Sequence, residues 1–226
     1  STPKPEEELN KIYMTVLKYS ITEDFDEQEK EYLYKLLRET LGALVILFSP
    51  LSTVSLARLL HISKEEVEQT LGDLHSILDM PKDSSRPVRL HHPSLRDFLL
   101  EQQRCRDPHF WVDEKKAHEA LANHCIKLMS NKLKRDICGL EVPGAKATNV
   151  SPDKIKYGLP AELQYACEYW IDHLQRSKSQ LHDDSKLHYF LREHFLHWLE
   201  ALSLIGKASQ GVRAIALLET IINVSH

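Results

Sequence analysis

The chain has 226 residues, 42% of them hydrophobic and 27% charged, with 7 glycines and a net charge of −4 when histidine is neutral. This is globular composition, long enough for one large domain or two small ones with a buried core. The negative balance argues against a broad basic surface for nucleic acid or acidic lipid.

The four cysteines, Cys105, Cys125, Cys138 and Cys167, are widely spaced and form no CxxC pair. They read as reduced, mostly buried thiols of an intracellular, cytoplasmic protein. The longest apolar run, Ala43 to Phe48, is far too short to span a bilayer. The opening Ser-Thr-Pro-Lys-Pro-Glu-Glu-Glu is polar and acidic, so it is no signal peptide and reads as the edge of a longer polypeptide.

In chain order, Leu9, Ile12, Tyr13, Val16, Leu17 and Ile21 recur at helical spacing and predict an amphipathic helix over 6–20. Thr22 to Asp26 is an acidic turn with capping chemistry. A longer helix over about 27–48 follows, striped by Leu33, Leu36, Leu37, Leu41, Leu44 and Phe48; its last turns are apolar all round, which predicts full burial. Ser49-Pro50 stops it. Ser52 starts a short helix through Ser55, Leu56, Leu59 and Leu60, and His61-Ile62 is a turn. Ser63 then caps a third helix, with Glu66 in the capping-box position and Val67, Leu71, Leu74 and Leu78 along its stripe. Helix, tight turn, helix is a helix-turn-helix. Asp79 to Arg86 is a polar loop, and Val88 to His91 a short strand. This order predicts a winged helix with a small hairpin as its wing.

The stretch Arg89-Leu90-His91-His92-Pro93-Ser94-Leu95-Arg96-Asp97-Phe98-Leu99-Leu100 closes that domain. An apolar run meets Pro93 and a helix begins just past it. Ser94 has the chemistry of its N-cap, and Asp97, three residues on, that of the reciprocal partner. The first turn of such a helix offers N–H groups and the positive dipole end to an anion. His91 and His92 stand beside it, and imidazole donates to phosphate near neutral pH. The parts are those of a phosphate sensor, although a capped turn explains the same residues.

Beyond Asp107 the elements lengthen. Asp113 caps a helix bearing Ala117, Leu121, Cys125 and Leu128, and Gly139 to Gly158 is irregular. Pro160 opens a helix with Leu163, Cys167, Trp170, Ile171 and Leu174, and Ser177 to Asp184 is a polar turn. Leu187, Leu191, Trp198 and Leu202 mark another helix, Gly206 and Gly211 flank a turn, and Val212, Ile215, Leu218 and Ile222 mark the last one. This half reads as an all-helical bundle. The fold class is therefore mainly α: a winged-helix domain with a short β-hairpin wing, followed by a helical bundle.

Several chemistries lack support. The candidate recognition helix, Lys64 to His75, carries four acids, Glu65, Glu66, Glu68 and Asp73, against one lysine. Phosphates would repel it, and Lys82, Arg86 and Arg89 in the wing do not reverse this. Among 13 histidines, His188, His194 and His197 share one helix and His118 and His124 another. No carboxylate or third ligand accompanies them at HExxH spacing, so no metal is expected. There is no GxxxxGK[ST] loop, GxGxxG or GxSxG elbow, so the chain alone is not expected to be an enzyme. Tyr165-Ala166-Cys167-Glu168-Tyr169-Trp170 has the spacing of a core seam rather than a ligand pocket.

With these elements in place, the chain resembles the part of NACHT-type signal-transducing NTPases that follows the nucleotide-binding domain. These are relatives of NOD-like receptors, and the likeness is greatest to fungal members. Leu9-Asn10-Lys11-Ile12-Tyr13-Met14-Thr15-Val16-Leu17 is similar to the helix leaving the first helical domain. Leu41 to Leu60, with Phe48-Ser49-Pro50-Leu51-Ser52, is similar to the approach to the family's winged helix. Leu90 to Leu99 is similar to its His-x-Ser-aromatic-x-acid-Phe signature, with Leu95 where an aromatic is usual. Tyr165 to Trp170 and His197 to Leu204 are similar to the helical region before C-terminal repeats.

The resemblance implies residues 1–25 as an exit helix, 26–104 as the winged helix and 105–226 as the helical domain. It implies that the winged helix packs over ADP held by the nucleotide-binding domain in the inactive state. His92 would reach the phosphate, with His91 as a second candidate, and Ser94 and Asp97 would hold the helix that aims it. The implied partners are that nucleotide-binding domain, a C-terminal repeat domain and further copies in an activated oligomer, with neither nucleic acid nor membrane. ADP or ATP with magnesium would belong to the parent protein, and no cofactor to this segment. Two other readings remain open: a freestanding helical interaction scaffold, and a winged-helix DNA-binding regulator.

Overall fold

The computed structural model describes residues 5–21, 25–140, 150–178 and 185–224. Among them the chain is mainly helical, with one two-stranded antiparallel hairpin. It divides into two compact units, 1–117 and 118–226, and the division falls inside one helix.

In the first unit α1 (Pro5–Tyr19) buries Tyr13 and Leu17. Ile12, on the predicted stripe, is 53% exposed. Asp26 accepts from the backbone N–H of Gln28 and Glu29, and the Glu29 carboxylate answers the Asp26 N–H, a complete capping box for α2 (Glu27–Ile46). Residues 22–24 of the predicted acidic turn lie outside the described residues. The end of α2 from Thr40 to Ile46 is buried throughout, as its all-round apolar pattern requires. The helix stops at the Leu47 C-cap, so Phe48 lies beyond it.

Ser52 caps α3 (Thr53–Leu60) through the Ser55 N–H. His61 closes α3 in the left-handed region, at φ 58°. Ser63 and Glu66 form the expected capping box of α4 (Lys64–Gly72). This helix is shorter than its stripe predicts. After the Asp73 C-cap, tight turns through Leu74 bring Leu78 into a strand. β1 (Leu78–Asp79) pairs with β2 (Arg89–Leu90), Leu78 opposite Leu90. Leu78 is buried by strand pairing, not by a helix face, and only long-range pairing distinguishes those two outcomes. The segment before α3 joins the hairpin: Ser52 bridges Pro87, and the Val88 N–H donates to the Leu51 carbonyl at 2.9 Å.

α5 (Ser94–Leu100) buries Leu95, Phe98 and Leu99. Its neighbours in the fold are α1 and α2. Tyr13 packs on Phe98 with ring centroids 5.5 Å apart, Arg104 bonds Asn10 at 3.0 Å and pairs with Glu6 at 3.3 Å, and Lys18 approaches Asp107 at 3.8 Å. Asp113 caps α6 (Glu114–Lys132) through the N–H groups of Lys115 and Lys116.

The second unit is wholly helical among the described residues. Within the stretch expected to be irregular, Ser151 caps a short helix, α7 (Pro152–Gly158). Residues 141–149 of that stretch lie outside the described residues. Gly158 is required there, because a Cβ would meet the Ile137 carbonyl oxygen at 2.7 Å. α8 (Ala161–Ser177) follows Pro160. Most of the polar turn expected over Ser177 to Asp184 lies outside the described residues. α9 (Ser185–Leu204) and α10 (Ala208–Val224) pack on α8 and on each other.

The seam is aromatic. Trp170, Phe190 and Trp198 are fully buried, with Trp170 edge-on to Phe190 at 5.5 Å and to Trp198 at 5.7 Å. The Trp198 indole N–H donates to the Cys167 carbonyl at 2.8 Å. Gly206, at φ 73°, makes the turn between α9 and α10. Gly211 does not flank that turn. It lies inside α10, where a Cβ would meet Leu202 Cδ1 at 2.9 Å, so its smallness serves helix packing. Val212 stands off the predicted stripe at 69% exposure.

Candidate functional site

The two candidate imidazoles sit side by side on the surface of the first unit, and both are exposed. Their hydrogen bonds differ in sense. The His91 backbone N–H donates to the Ile77 carbonyl at 3.1 Å, which anchors it to the end of the hairpin. Its Nε2 lies 3.1 Å from the His75 carbonyl oxygen. A carbonyl only accepts, so His91 carries its proton on Nε2 and spends it within the protein.

His92 is held from the other side of its ring. The Ser94 backbone N–H donates to His92 Nδ1 at 3.1 Å. That nitrogen is therefore unprotonated, and the neutral ring carries its proton on Nε2. Ser94 Oγ, 2.7 Å from the same Nδ1, must then donate its own proton. With that proton committed, Ser94 Oγ accepts from the Tyr13 hydroxyl, also at 2.7 Å. The chain of donation runs from Tyr13 to Ser94 to His92. Among the described residues Nε2 of His92 has no hydrogen-bond partner, so this exposed ring presents an N–H donor outward.

The capping arrangement expected of Ser94 and Asp97 is not formed. Pro93 occupies the N-cap position in helical geometry (φ −63°, ψ −24°), and no side chain caps α5. Proline fixes φ at the helical value, so the turn begins one residue early. Ser94 becomes the first helical residue and turns its hydroxyl to Tyr13 and His92. Asp97 is exposed and makes no capping bond. The helix start is also not an open anion cradle. Its first N–H groups are used: Ser94 by His92 Nδ1, Leu95 by the His92 carbonyl at 3.2 Å, and Arg96 by the Pro93 carbonyl at 3.0 Å.

Two acids of helix α4 are held by specific partners. Lys64 and Glu68 pair at 3.2 Å, one turn apart. Glu66 accepts from the Ser63 hydroxyl and from the Tyr32 hydroxyl, both at 2.7 Å. These hydrogen bonds, Ser63 first, hold its carboxyl down at about 2.

A second histidine cluster lies in the other unit and has no forerunner in the sequence reading. His118 on α6 and His173 on α8 are fully buried, with their Nδ1 atoms 2.7 Å apart. One of the two carries the shared proton and the other accepts it. The Tyr165 hydroxyl lies 2.7 Å from His173 Nε2. Burial, then the neighbouring His118 and Arg176, pushes His173 down to about 3. Tyr165 and His173 stand eight residues apart on one helix face, which the sequence does show; the approach of His118 from another helix it does not.

His194 and His197 face each other with Nδ1 atoms 3.4 Å apart on α9. No group of three or more potential metal ligands occurs among the described residues. The four cysteines are free and buried. Burial pushes the Cys105 thiol up to about 12 and raises Cys125, Cys138 and Cys167 as well, which makes them poor nucleophiles. No described helix is long and apolar enough to cross a membrane.

No family model matches the chain and no solved structure does. A curated protein does. The chain is similar to the vegetative incompatibility protein HET-E-1 of Podospora anserina. The two are 31% identical over a region covering 68% of this chain. The chain spans 14% of the length of HET-E-1. The similarity to HET-E-1 supports the fungal NACHT-type, NLR-like kinship suggested by the residues themselves.

Proposed function

We propose that the chain is a regulatory and coupling segment of a NACHT-like signalling NTPase, and that His92 senses a nucleotide phosphate bound by the parent's nucleotide-binding domain. The kinship to HET-E-1 supports the class of protein. The observation that carries the site is the sense of the His92 hydrogen bonds: Nδ1 is held from within and Nε2–H is offered outward. A phosphate oxygen accepts hydrogen bonds and needs such a donor. His91 offers no free N–H, because its proton is committed to the His75 carbonyl. His92 is the primary contact and His91 its brace.

We read α3, α4 and the β1–β2 hairpin, with 51–52 alongside, as a winged helix used for protein packing. The excess of acids on α4, with the Glu66 carboxyl held low by its hydrogen bonds, supports packing rather than binding to DNA. In the inactive parent this domain closes over ADP. Nucleotide exchange removes the His92 contact, the domain moves away, and the opened molecule oligomerises. The switch is a two-state element biased by differential contact with one ligand. Chemistry on the nucleotide belongs to the parent, and this segment supplies no catalytic group.

The test is His92→Ala in the full-length parent. A hydrogen bond to a charged phosphate contributes about 1.5–3 kcal/mol, so ADP affinity should fall by about 10- to 150-fold and the oligomeric fraction should rise. Unchanged ADP retention and unchanged sedimentation would leave His92 as part of a turn.

A further inference from the structure

We propose that Tyr13 is a positioning residue for the sensing ring: through Ser94 it holds His92 in the tautomer that presents Nε2–H. The functional meaning of this inference rests on the sensor reading above, but the geometry stands without it. Two neutral tautomers are open to an exposed histidine, and only one offers the outward donor. The Ser94 backbone N–H favours that tautomer, and the Ser94 hydroxyl favours it only while its proton points at Nδ1. A serine hydroxyl rotates freely between donating and accepting. The hydroxyl's second partner is the phenol of Tyr13, which is 5% exposed: when Tyr13 donates its O–H to Ser94 Oγ, the serine proton is left to point at Nδ1.

Tyr13 is 81 residues from Ser94 in sequence and lies on a different helix. Its ring is seated on Phe98, and α1 is tied to the chain after α5 by Arg104 to Asn10 and to Glu6, and by Lys18 to Asp107. The relay is intact only while α1 lies against α5. The position of α1 and the proton on His92 are thus coupled, and a displacement of α1 leaves the ring held by Ser94 alone.

The experiment is long-range 1H–15N NMR of the imidazoles in the 15N-labelled chain. In the unaltered protein His92 should show the Nε2–H pattern alone. The Tyr13 hydroxyl proton, shielded by burial, should give a cross-peak to the Ser94 β protons. Tyr13→Phe keeps the ring on Phe98 and removes only the hydroxyl; it should bring in a measurable Nδ1–H population at His92 and leave His91 unchanged. Ser94→Ala should do the same to a greater extent. A protonated Nδ1 in the unaltered chain, a missing Tyr13–Ser94 cross-peak, or a Tyr13→Phe spectrum identical to the unaltered one overturns the proposal.

In the full-length parent, ADP release from Tyr13→Phe should be about two- to tenfold faster, the scale of one neutral hydrogen bond, and slower than from His92→Ala. If His92→Ala speeds release and Tyr13→Phe does not, the relay plays no part in sensing. If neither does, the sensor reading fails while the NMR result still decides the relay.

Discussion

Each unit carries a pair of histidines, and the two pairs use the same side chain in opposite ways. His91 and His92 are exposed, each held by one ring nitrogen from one side. His118 and His173 are buried and turn their Nδ1 atoms toward each other, with the Tyr165 hydroxyl beyond. In the first pair one nitrogen of each ring is committed and the other has no partner among the described residues. In the second the rings serve the interior, where a neutral, hydrogen-bonded histidine costs far less than a charged one. Thirteen histidines in one chain thus include exposed and core members, and composition alone does not separate them.

The comparison can be pressed hardest through the core that surrounds the buried pair. Trp170→Ala removes a fully buried indole packed on Phe190 and Trp198 and should cost about 3–5 kcal/mol in denaturant unfolding. His92→Ala should do the reverse: it should change stability by less than about 0.5 kcal/mol, as surface substitutions do, while weakening ADP retention in the parent. A large loss of stability from His92→Ala would remove the contrast.

Acid sharpens it further. His173 in the folded protein is pushed down to about 3, below the unfolded histidine value of about 6.5. The unfolded chain therefore binds the proton first as pH falls. Stability from this group is fully present above about pH 6.5 and is lost as pH drops toward 3, at no more than about 1.4 kcal/mol per pH unit. Urea unfolding at stepped pH checks this, and His173→Gln should flatten the slope. A smaller loss of stability than that of Trp170→Ala is expected for Asp26→Ala, which removes the capping box of α2 and should cost about 1 kcal/mol. The same unfolding curves measure it.

Local chemistry was legible. The capping pair Ser63–Glu66, the caps at Asp26 and Asp113, the buried end of α2 and the seam of α8 all stand where periodicity and cap residues place them, while Glu29 as the partner of Asp26 emerges only in the structure. The differences have separate origins. Leu78 lies in a strand because Leu90 pairs with it; Ser94 is not a cap because Pro93 starts the helix one residue early; Gly211 lies inside α10, against Leu202 of the neighbouring helix.

By itself the sequence determined the mainly helical class, most element limits, the acidic face of α4 and the presence of two imidazoles before Pro93. These follow from interactions within a few residues: caps, turn residues and the 3.6-residue stripe. Only the tertiary structure decided that Ser94 meets Tyr13, that His91 is already committed to His75, and that His118 meets His173. A hydrogen bond between distant segments leaves no periodic trace in a chain, and its direction is set by whichever group the fold brings opposite.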